Sequence, residues 1–386
     1  MTREVPAAGA TREIDVRGLL TVRLIGVDER DAGAVERQLG LPSHPALEAR
    51  PAEEAQLSVR YVERLAARDG RLLWVGPPDL CWTEAGVAVA RGRGRATRWA
   101  LIPFERIGGP LEIECERGIG RVPHLVSLLN LSLLARGIVP LHASAFILNG
   151  VGSVAAGWSQ SGKTEALLAA MGAGATQVSD EWTYLAPDGQ AHGLPTPIRL
   201  EPWHLRSDFV RERAAAATSR RRLLSLRAAD RLAAGTALRR MSLPSTGLVR
   251  RGRRLIGSDH VDIPAQTLFG PNSCTAALRL ERVYWLVPRT GDDRSVSGVG
   301  VESVTATETA ARMALAHVHH RLEFLDSYWR FRYAFPRRRS ELVDNMEVRE
   351  RKLLEAALDP LPIYRLEHPP GVSFDELQKA MSGAFG

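Results

Sequence analysis

Residues 157–164, "GWSQSGKT", have the spacing Gly-x-x-x-x-Gly-Lys-Thr and lie between a β-prone run and a stretch with helical periodicity. The two glycines let the backbone curl so that N–H groups converge on phosphate oxygens, and the following helix N-terminus favours negative charge. Lys163 is predicted to bridge the β- and γ-phosphates of ATP or another nucleoside triphosphate, and Thr164 to offer its hydroxyl to Mg²⁺. The predicted nucleotide-binding residues are Gly157, Trp158, Ser159, Gln160, Ser161, Gly162, Lys163, Thr164 and Glu165.

Two adjacent carboxylates follow in "QVSDEWTYL". Neighbouring residues in a strand point to opposite faces, so only one carboxylate would face the phosphates unless the strand ends or bulges there. Asp180 is predicted to be the base that takes a proton from a substrate hydroxyl, and Glu181 to hold the metal directly or through water. Asp180 is also a candidate metal ligand. Considered without the neighbouring loop, the two acids are explained equally well as solvent-facing residues of an edge strand.

His142 begins a β-prone run that ends in Asn149-Gly150, the strongest short hairpin signal, so a hairpin is predicted to lead into the glycine-rich turn. A histidine on such a run is usually structural. Its position fifteen residues before the turn makes it a candidate catalytic residue.

The segment from His142 to Glu165 resembles the signature region of the HPr kinase/phosphorylase family. A histidine at a strand start, two hairpin glycines and a P-loop ending in Gly-Lys-Ser-Glu characterise that family. The matching residues here are His142, Gly150, Gly152, Gly157, Gly162, Lys163, Thr164 and Glu165. The family's next strand ends in Val-Ala-Asp-Asp, and this chain has "VSDE" at 178–181. The close match covers about 40 residues, and weaker sequence similarity continues in later segments such as "VDIPAQTLFG".

This resemblance implies an α/β fold with a C-terminal P-loop core like that of HPr kinase and phosphoenolpyruvate carboxykinase. It implies that Asp180 is the general base, that His142 assists or orients it, and that Glu181 completes the metal shell. Glu181 and Thr164 replace the family's usual aspartate and serine and preserve chemical type. The implied activity is an ATP-dependent kinase with Mg²⁺, and a homo-oligomer is among the implied assemblies.

The acceptor expected from this resemblance is a serine-type hydroxyl on a peptide or small protein, because similar kinases modify ribosomally made peptides, including lasso peptides. Kinases of free serine also share the segment, so a small-molecule hydroxyl stays open, as does the reverse phosphorylase reaction. An ATP-sensing binding module that contacts nucleic acid is a further alternative. The basic segment at 199–254 holds only Trp203 and Phe209 as stacking aromatics, which disfavours it.

The elements that position these residues are predicted to form two domains. Residues 1–120 read as a small α+β domain rich in antiparallel strands, and residues 121–386 as the kinase domain with a basic helical insertion at about 205–254. Residues 175–189 are predicted to be one strand that runs to an Asp-Gly turn, and a single long helix is predicted from about 305, with Thr305 or Thr307 as its cap.

The composition shows an uneven distribution of charge along the chain and indicates the cellular compartment. The net charge is +7, only three lysines occur, and residues 199–254 hold 15 arginines against four acids. A solvated helical surface and a surface for an acidic partner or nucleotide explain that excess equally well. The three cysteines show no paired spacing, and no signal peptide or membrane-spanning run is visible, so we expect a cytoplasmic protein.

Overall fold

The computed structural model describes residues 10–41, 57–76, 79–92, 96–194, 196–219, 222–224, 260–289 and 298–383. It is a mixed α/β protein with two compact units. Unit 1 comprises Met1–Leu141, Tyr184–Asp188 and Ala310–Ala357, and unit 2 comprises His142–Thr183, Gly189–Thr309 and Leu358–Gly386. The two units alternate along the chain instead of dividing once near residue 120, because residues 310–357 pack within unit 1.

The strands, in chain order, are β1 (Ala10–Val16), β2 (Leu20–Val27), β3 (Leu57–Val62), β4 (Leu73–Trp74), β5 (Leu80–Thr83), β6 (Gly86–Arg91), β7 (Arg98–Ile102), β8 (Leu111–Glu116), β9 (Val139–Leu148), β10 (Val151–Gly157), β11 (Thr176–Ser179), β12 (Trp182–Leu185), β13 (Gln190–Gly193), β14 (Ile198–Leu200), β15 (Val261–Ile263), β16 (Ala277–Arg279), β17 (Arg282–Pro288), β18 (Gly300–Ser303) and β19 (Ile363–His368).

The helices are α1 (Glu29–Leu39), α2 (Leu125–Ala135), α3 (Lys163–Gly172), α4 (Asp208–Ala217), α5 (Ala265–Phe269), α6 (Ala306–His320), α7 (Leu322–Ala334), α8 (Glu341–Asp344), α9 (Met346–Leu358) and α10 (Phe374–Gly383). Among these described helices, none is long and apolar enough to cross a membrane. Residues 220–221 and 225–254 of the predicted basic insertion lie outside the described residues. Its described beginning covers the end of a 3₁₀ turn at Pro202–Arg206 and α4.

Unit 1 contains a sheet in the order β1-β2-β3-β8-β7-β6-β5-β4. The pairs β2–β3 and β3–β8 are parallel, whereas the pairs from β8 to β4 are antiparallel. The antiparallel character predicted for this region therefore holds for only part of the sheet. Within the same unit, the ring of Phe104 packs against Phe324, Tyr328 and Phe331 of α7, so residues far apart in sequence share one core.

The single long helix predicted from residue 305 is wrong, because the structure divides it at Arg321 into α6 and α7. The Arg321 N–H bonds to the carbonyl of Val318, one residue nearer than in an α-helix. Its guanidinium forms an ion pair with Glu350 at 2.6 Å, and both side chains are buried. Thr305 is the cap, since its hydroxyl accepts the N–H of Glu308.

A second sheet has the order β16-β13-β12-β9-β10-β17-β19-β18, with β11 paired to β9. At its centre β9 and β10 form an antiparallel hairpin, and β10, β17 and β19 run parallel to one another. Helices α3 and α10 bury Leu167, Leu377 and Met381 in the core of unit 2, where the Tyr284 hydroxyl donates to the carbonyl of Met381. The parallel strands bring their carboxyl ends to one edge, where ligand sites of α/β sheets usually lie.

Candidate functional site

The predicted phosphate loop lies between the end of β10 and the start of α3, as its sequence indicated. A side chain is excluded at Gly157, because a Cβ there would lie 2.3 Å from Ser161 Oγ and 2.8 Å from the carbonyl oxygen of Leu286. Gln160 and Gly162 have positive φ values of 62° and 95°, so the chain turns back sharply before the helix. Trp158, Ser159 and Gln160 are exposed, and Ser161 is buried. The loop therefore turns tightly, and its residues 158–160 are accessible to solvent.

Lys163 is the first residue of α3, and its side chain folds back over the loop. Its Nζ donates hydrogen bonds to the carbonyl oxygens of Trp158 at 2.8 Å and Gly157 at 3.3 Å. Burial lowers the pKa of this ammonium to about 8, although the charge of Asp180 acts in the opposite direction. The ammonium is thus held at the loop and retains most of its charge at neutral pH.

Asp180 lies directly after β11, in the break between β11 and β12. Its carboxylate accepts hydrogen bonds from Ser144 Oγ at 2.9 Å and from Thr164 Oγ1 at 3.2 Å. The side chain is about nine-tenths buried. Burial raises the pKa of Asp180 to about 7, while the hydrogen bonds from Ser144 and Thr164 act to lower it. The structure therefore brings Asp180 to the first turn of α3.

A break in the strand explains how Asp180 reaches this place. The sequence predicted one strand over 175–189, and this prediction is wrong, because β11 ends at Ser179 and β12 begins at Trp182. The register between β11 and β9 shifts before Ser179, and the carbonyl of Glu181 accepts the N–H of Ala143. The backbone thus turns at the two acids, so strict strand alternation does not govern them.

The second acid, Glu181, has an exposed side chain. Its metal-binding role stays a prediction. The structure does bring two oxygen-donor groups together here, the Thr164 hydroxyl and the Asp180 carboxylate. Both are the hard oxygen donors that Mg²⁺ prefers, and Mg²⁺ commonly completes its shell with water and substrate phosphates. No group of three or more His, Cys, Asp or Glu among the described residues could hold a metal by itself.

His142 lies on β9, two residues before Ser144, so the two side chains belong to the same face of that strand. Its ring packs edge-on against Trp182, with ring centroids 5.2 Å apart. The hydrogen bond that β9 provides to Asp180 comes from Ser144. The predicted role of His142 beside the base stays a prediction, and Ser144 is a residue that the sequence did not indicate.

Glu165, predicted to bind nucleotide, contacts groups of the protein itself. Its Oε1 accepts a hydrogen bond from Trp203 Nε1 at 2.9 Å and lies 3.2 Å from His204 Nε2. Burial acts to raise the pKa of Glu165, but the contacts with His204 and Trp203 outweigh it and lower the pKa to about 2. Glu165 is therefore an ionised carboxylate that links α3 to residues 202–206.

A second residue missed in the sequence is His368, at the carboxyl end of β19. Its Nε2 lies 2.9 Å from the carbonyl oxygen of Ser161 in the loop, and its side chain is buried. No local pattern links two residues 207 positions apart. The parallel pairing of β10, β17 and β19 brings them together.

Comparisons with known proteins show only a weak structural similarity for the neighbour described below. No family model matches the sequence, and no curated protein matches it. Among solved structures, the Hpr(Ser) kinase/phosphatase from Coxiella burnetii is similar, with 15% sequence identity over 43% of this chain and 72% of that chain, and a TM-score of 0.20. That score is too low to support an inference about function.

Proposed function

We propose that the protein is an ATP-dependent phosphotransferase, a kinase that moves the γ-phosphoryl group of ATP to a hydroxyl group. The observation that carries this proposal is the hydrogen bond from Thr164, in the loop motif, to the buried carboxylate of Asp180. A phosphate-binding loop alone serves many functions. A buried acid in contact with its first helical turn adds a candidate base beside the expected phosphates.

The loop and α3 supply the charges for phosphate binding. Backbone N–H groups in the first turn of a helix have no partner within the helix backbone, so such a turn can donate to phosphate oxygens. The Lys163 ammonium, already held at the loop, supplies the compact positive charge that stabilises the transferring phosphoryl group. Thr164 would hold Mg²⁺, which when bound neutralises charge on the β- and γ-phosphate oxygens. Glu181 is proposed to reach the same metal through water.

Asp180 is proposed to be the general base. Its pKa of about 7 suits this role, because a base works best when its pKa is close to the working pH. The acceptor oxygen bonds to the γ-phosphorus as the bond from that phosphorus to the β–γ bridging oxygen breaks. The hydroxyl proton passes to Asp180, and ADP leaves. Ser144 keeps the carboxylate oriented through its hydrogen bond, and His142, on the same strand face, is proposed to support that arrangement.

The acceptor class is proposed from the sequence segment between His142 and Glu165. That segment resembles kinases of serine hydroxyls, so we propose a serine-type hydroxyl on a peptide or small protein, with free serine as the small-molecule alternative. The test reaction therefore offers both free L-serine and a library of serine-containing peptides.

The experiment separates nucleotide binding from transfer. Asp180→Asn keeps the shape of the side chain, so ATP affinity should stay within about threefold of wild type, while transfer should fall by at least about 100-fold, the usual loss of a general base. Lys163→Ala should lose both. Asp375→Asn changes an exposed acid on α10 and is the matched control. Full transfer activity in Asp180→Asn would show that Asp180 is not the base.

A further inference from the structure

The imidazole of His368 contacts the phosphate loop from the side of the parallel strands. Its Nε2 lies 2.9 Å from the carbonyl oxygen of Ser161, and its Nδ1 lies 3.1 Å from that of Pro369. The side chain is only 5% exposed. Because a carbonyl oxygen can only accept a hydrogen bond, Nε2 must carry a proton and donate it to Ser161. A buried side chain therefore makes a directed hydrogen bond to the backbone of the loop.

The strand register fixes this contact. Gly157 at the end of β10 pairs with Leu286 on β17, and Leu286 pairs with Leu366 on β19. His368 lies two residues beyond Leu366, at the level where the chain leaves β10 and enters the loop. The N–H of Arg289 bonds to the carbonyl of His368 at 2.8 Å, so the backbone that carries the imidazole is also held.

The hydrogen bond to the Ser161 carbonyl fixes the orientation of the whole Ser161–Gly162 peptide group. A trans peptide is planar, so the Ser161 carbonyl and the Gly162 N–H belong to one rigid plane and point in opposite directions. Donation from His368 to the carbonyl therefore turns the Gly162 N–H away from the imidazole. Within the described residues this N–H has no hydrogen-bond acceptor. A hydrogen bond to a carbonyl also polarises the amide and strengthens its N–H as a donor.

Gly162 itself is adapted to this neighbour. A Cβ at residue 162 would lie 3.0 Å from Nε2 of His368 and 3.1 Å from its Cε1, and the φ of Gly162 is 95°. A side chain at 162 would thus both strain the backbone and push the imidazole away from the Ser161 carbonyl. The glycine of the Gly-Lys-Thr motif and the distant histidine therefore fit each other sterically.

We infer that His368 is a positioning residue, which holds the Ser161–Gly162 peptide so that the Gly162 N–H is directed at a phosphate oxygen of the nucleotide. This inference rests on the proposed function of the loop. His368 acts through the backbone and does not touch the substrate itself. Its loss weakens phosphate binding without removing the loop's positive charge, which belongs to Lys163.

The test compares variants that keep or remove the donor. His368→Gln retains an N–H that can reach the Ser161 carbonyl, whereas His368→Leu and His368→Met fill similar space without a donor. Calorimetric titration with inorganic tripolyphosphate measures the phosphate site alone, and titration with adenosine serves as the control ligand. We expect about a tenfold weaker tripolyphosphate affinity in the donor-free variants, or ~1.4 kcal/mol, with most of the affinity restored in His368→Gln.

A purely structural role predicts a different pattern. In that case melting temperature falls in all three variants, and tripolyphosphate affinity does not follow the presence of the donor. Wild-type affinity in either donor-free variant that folds would overturn the inference, as would failure of a folded His368→Gln variant to regain affinity. A wild-type protein that binds neither tripolyphosphate nor ATP would overturn the proposed function, which is a separate outcome visible before any variant is made.

Discussion

Replacing Asp180 with asparagine should stabilise the protein at alkaline pH while it removes phosphate transfer. The carboxylate is about nine-tenths buried, and burial raises its pKa from an ordinary 3.8 to about 7. The folded state thus binds the proton more tightly than the unfolded state. The proton on Asp180 therefore stabilises the folded state. This contribution to the free energy of unfolding is complete below about pH 4 and is lost as the pH rises towards 7. Asparagine stays neutral and can still accept the hydrogen bonds of Ser144 and Thr164 through its Oδ1.

The size of the effect follows from the pKa difference. The pKa rises by about three, and each tenfold change in proton affinity is worth ~1.4 kcal/mol, so an ionised Asp180 destabilises the folded state by at most ~4 kcal/mol. At pH 5 the folded wild-type protein carries only part of this destabilisation, and at pH 8 it carries all of it. We therefore expect the stability advantage of Asp180→Asn to grow by about 2 to 3 kcal/mol between pH 5 and pH 8.

Urea unfolding of wild type and variant at the two pH values measures this change. Asp375→Asn, which alters an exposed acid of the same unit, is the control and should show almost no pH-dependent difference. An advantage of Asp180→Asn that is the same at pH 5 and pH 8 would mean that the carboxylate titrates normally. A variant less stable than wild type at pH 8 would refute the claim that burial opposes its charge.

Three further predictions concern the same site. Transfer should fall as pH drops below about 7, because Asp180 becomes protonated; a rate that is flat from pH 8 to pH 5.5 would contradict this. Ser144→Ala removes a hydrogen bond that lowers the pKa of Asp180, so the acidic limb of the pH–rate profile should move to higher pH; an unmoved limb would exclude this role. Gly157→Ala places a methyl group against Ser161 and the Leu286 carbonyl, so tripolyphosphate affinity should fall at least about tenfold, and wild-type affinity would show that the loop tolerates the change.

Local features of the sequence account for much of the local structure. Helix α1 begins after Asp28, whose side chain accepts the N–H of Asp31, and ends at Gly40 with a φ of 66°, so both ends follow the capping rules. The strand, loop and helix around Gly157 and Lys163 were predicted in the same way, because glycine and lysine at fixed spacing constrain a few consecutive residues.

Features that depend on distant residues could not be predicted. The break after Ser179 follows from the irregular pairing of β11 with β9, which alternation within one segment does not reveal. The division of the long helix at Arg321 accompanies an ion pair with Glu350, and a pairing between two charges 29 residues apart has no local signal. His368 reaches the loop only through the order of three parallel strands. Ser144 could have been found, since it alternates with His142 on one strand face.

The central claim is that this site transfers a phosphoryl group, and ³¹P NMR of a reaction with Mg²⁺, ATP, free L-serine and serine-containing peptides tests it most directly. Wild type should convert the ATP signals to those of ADP and produce a phosphomonoester resonance, while Lys163→Ala should leave ATP unchanged. ATP that remains intact with wild type, or that yields only inorganic phosphate in the presence of every acceptor, would contradict the account.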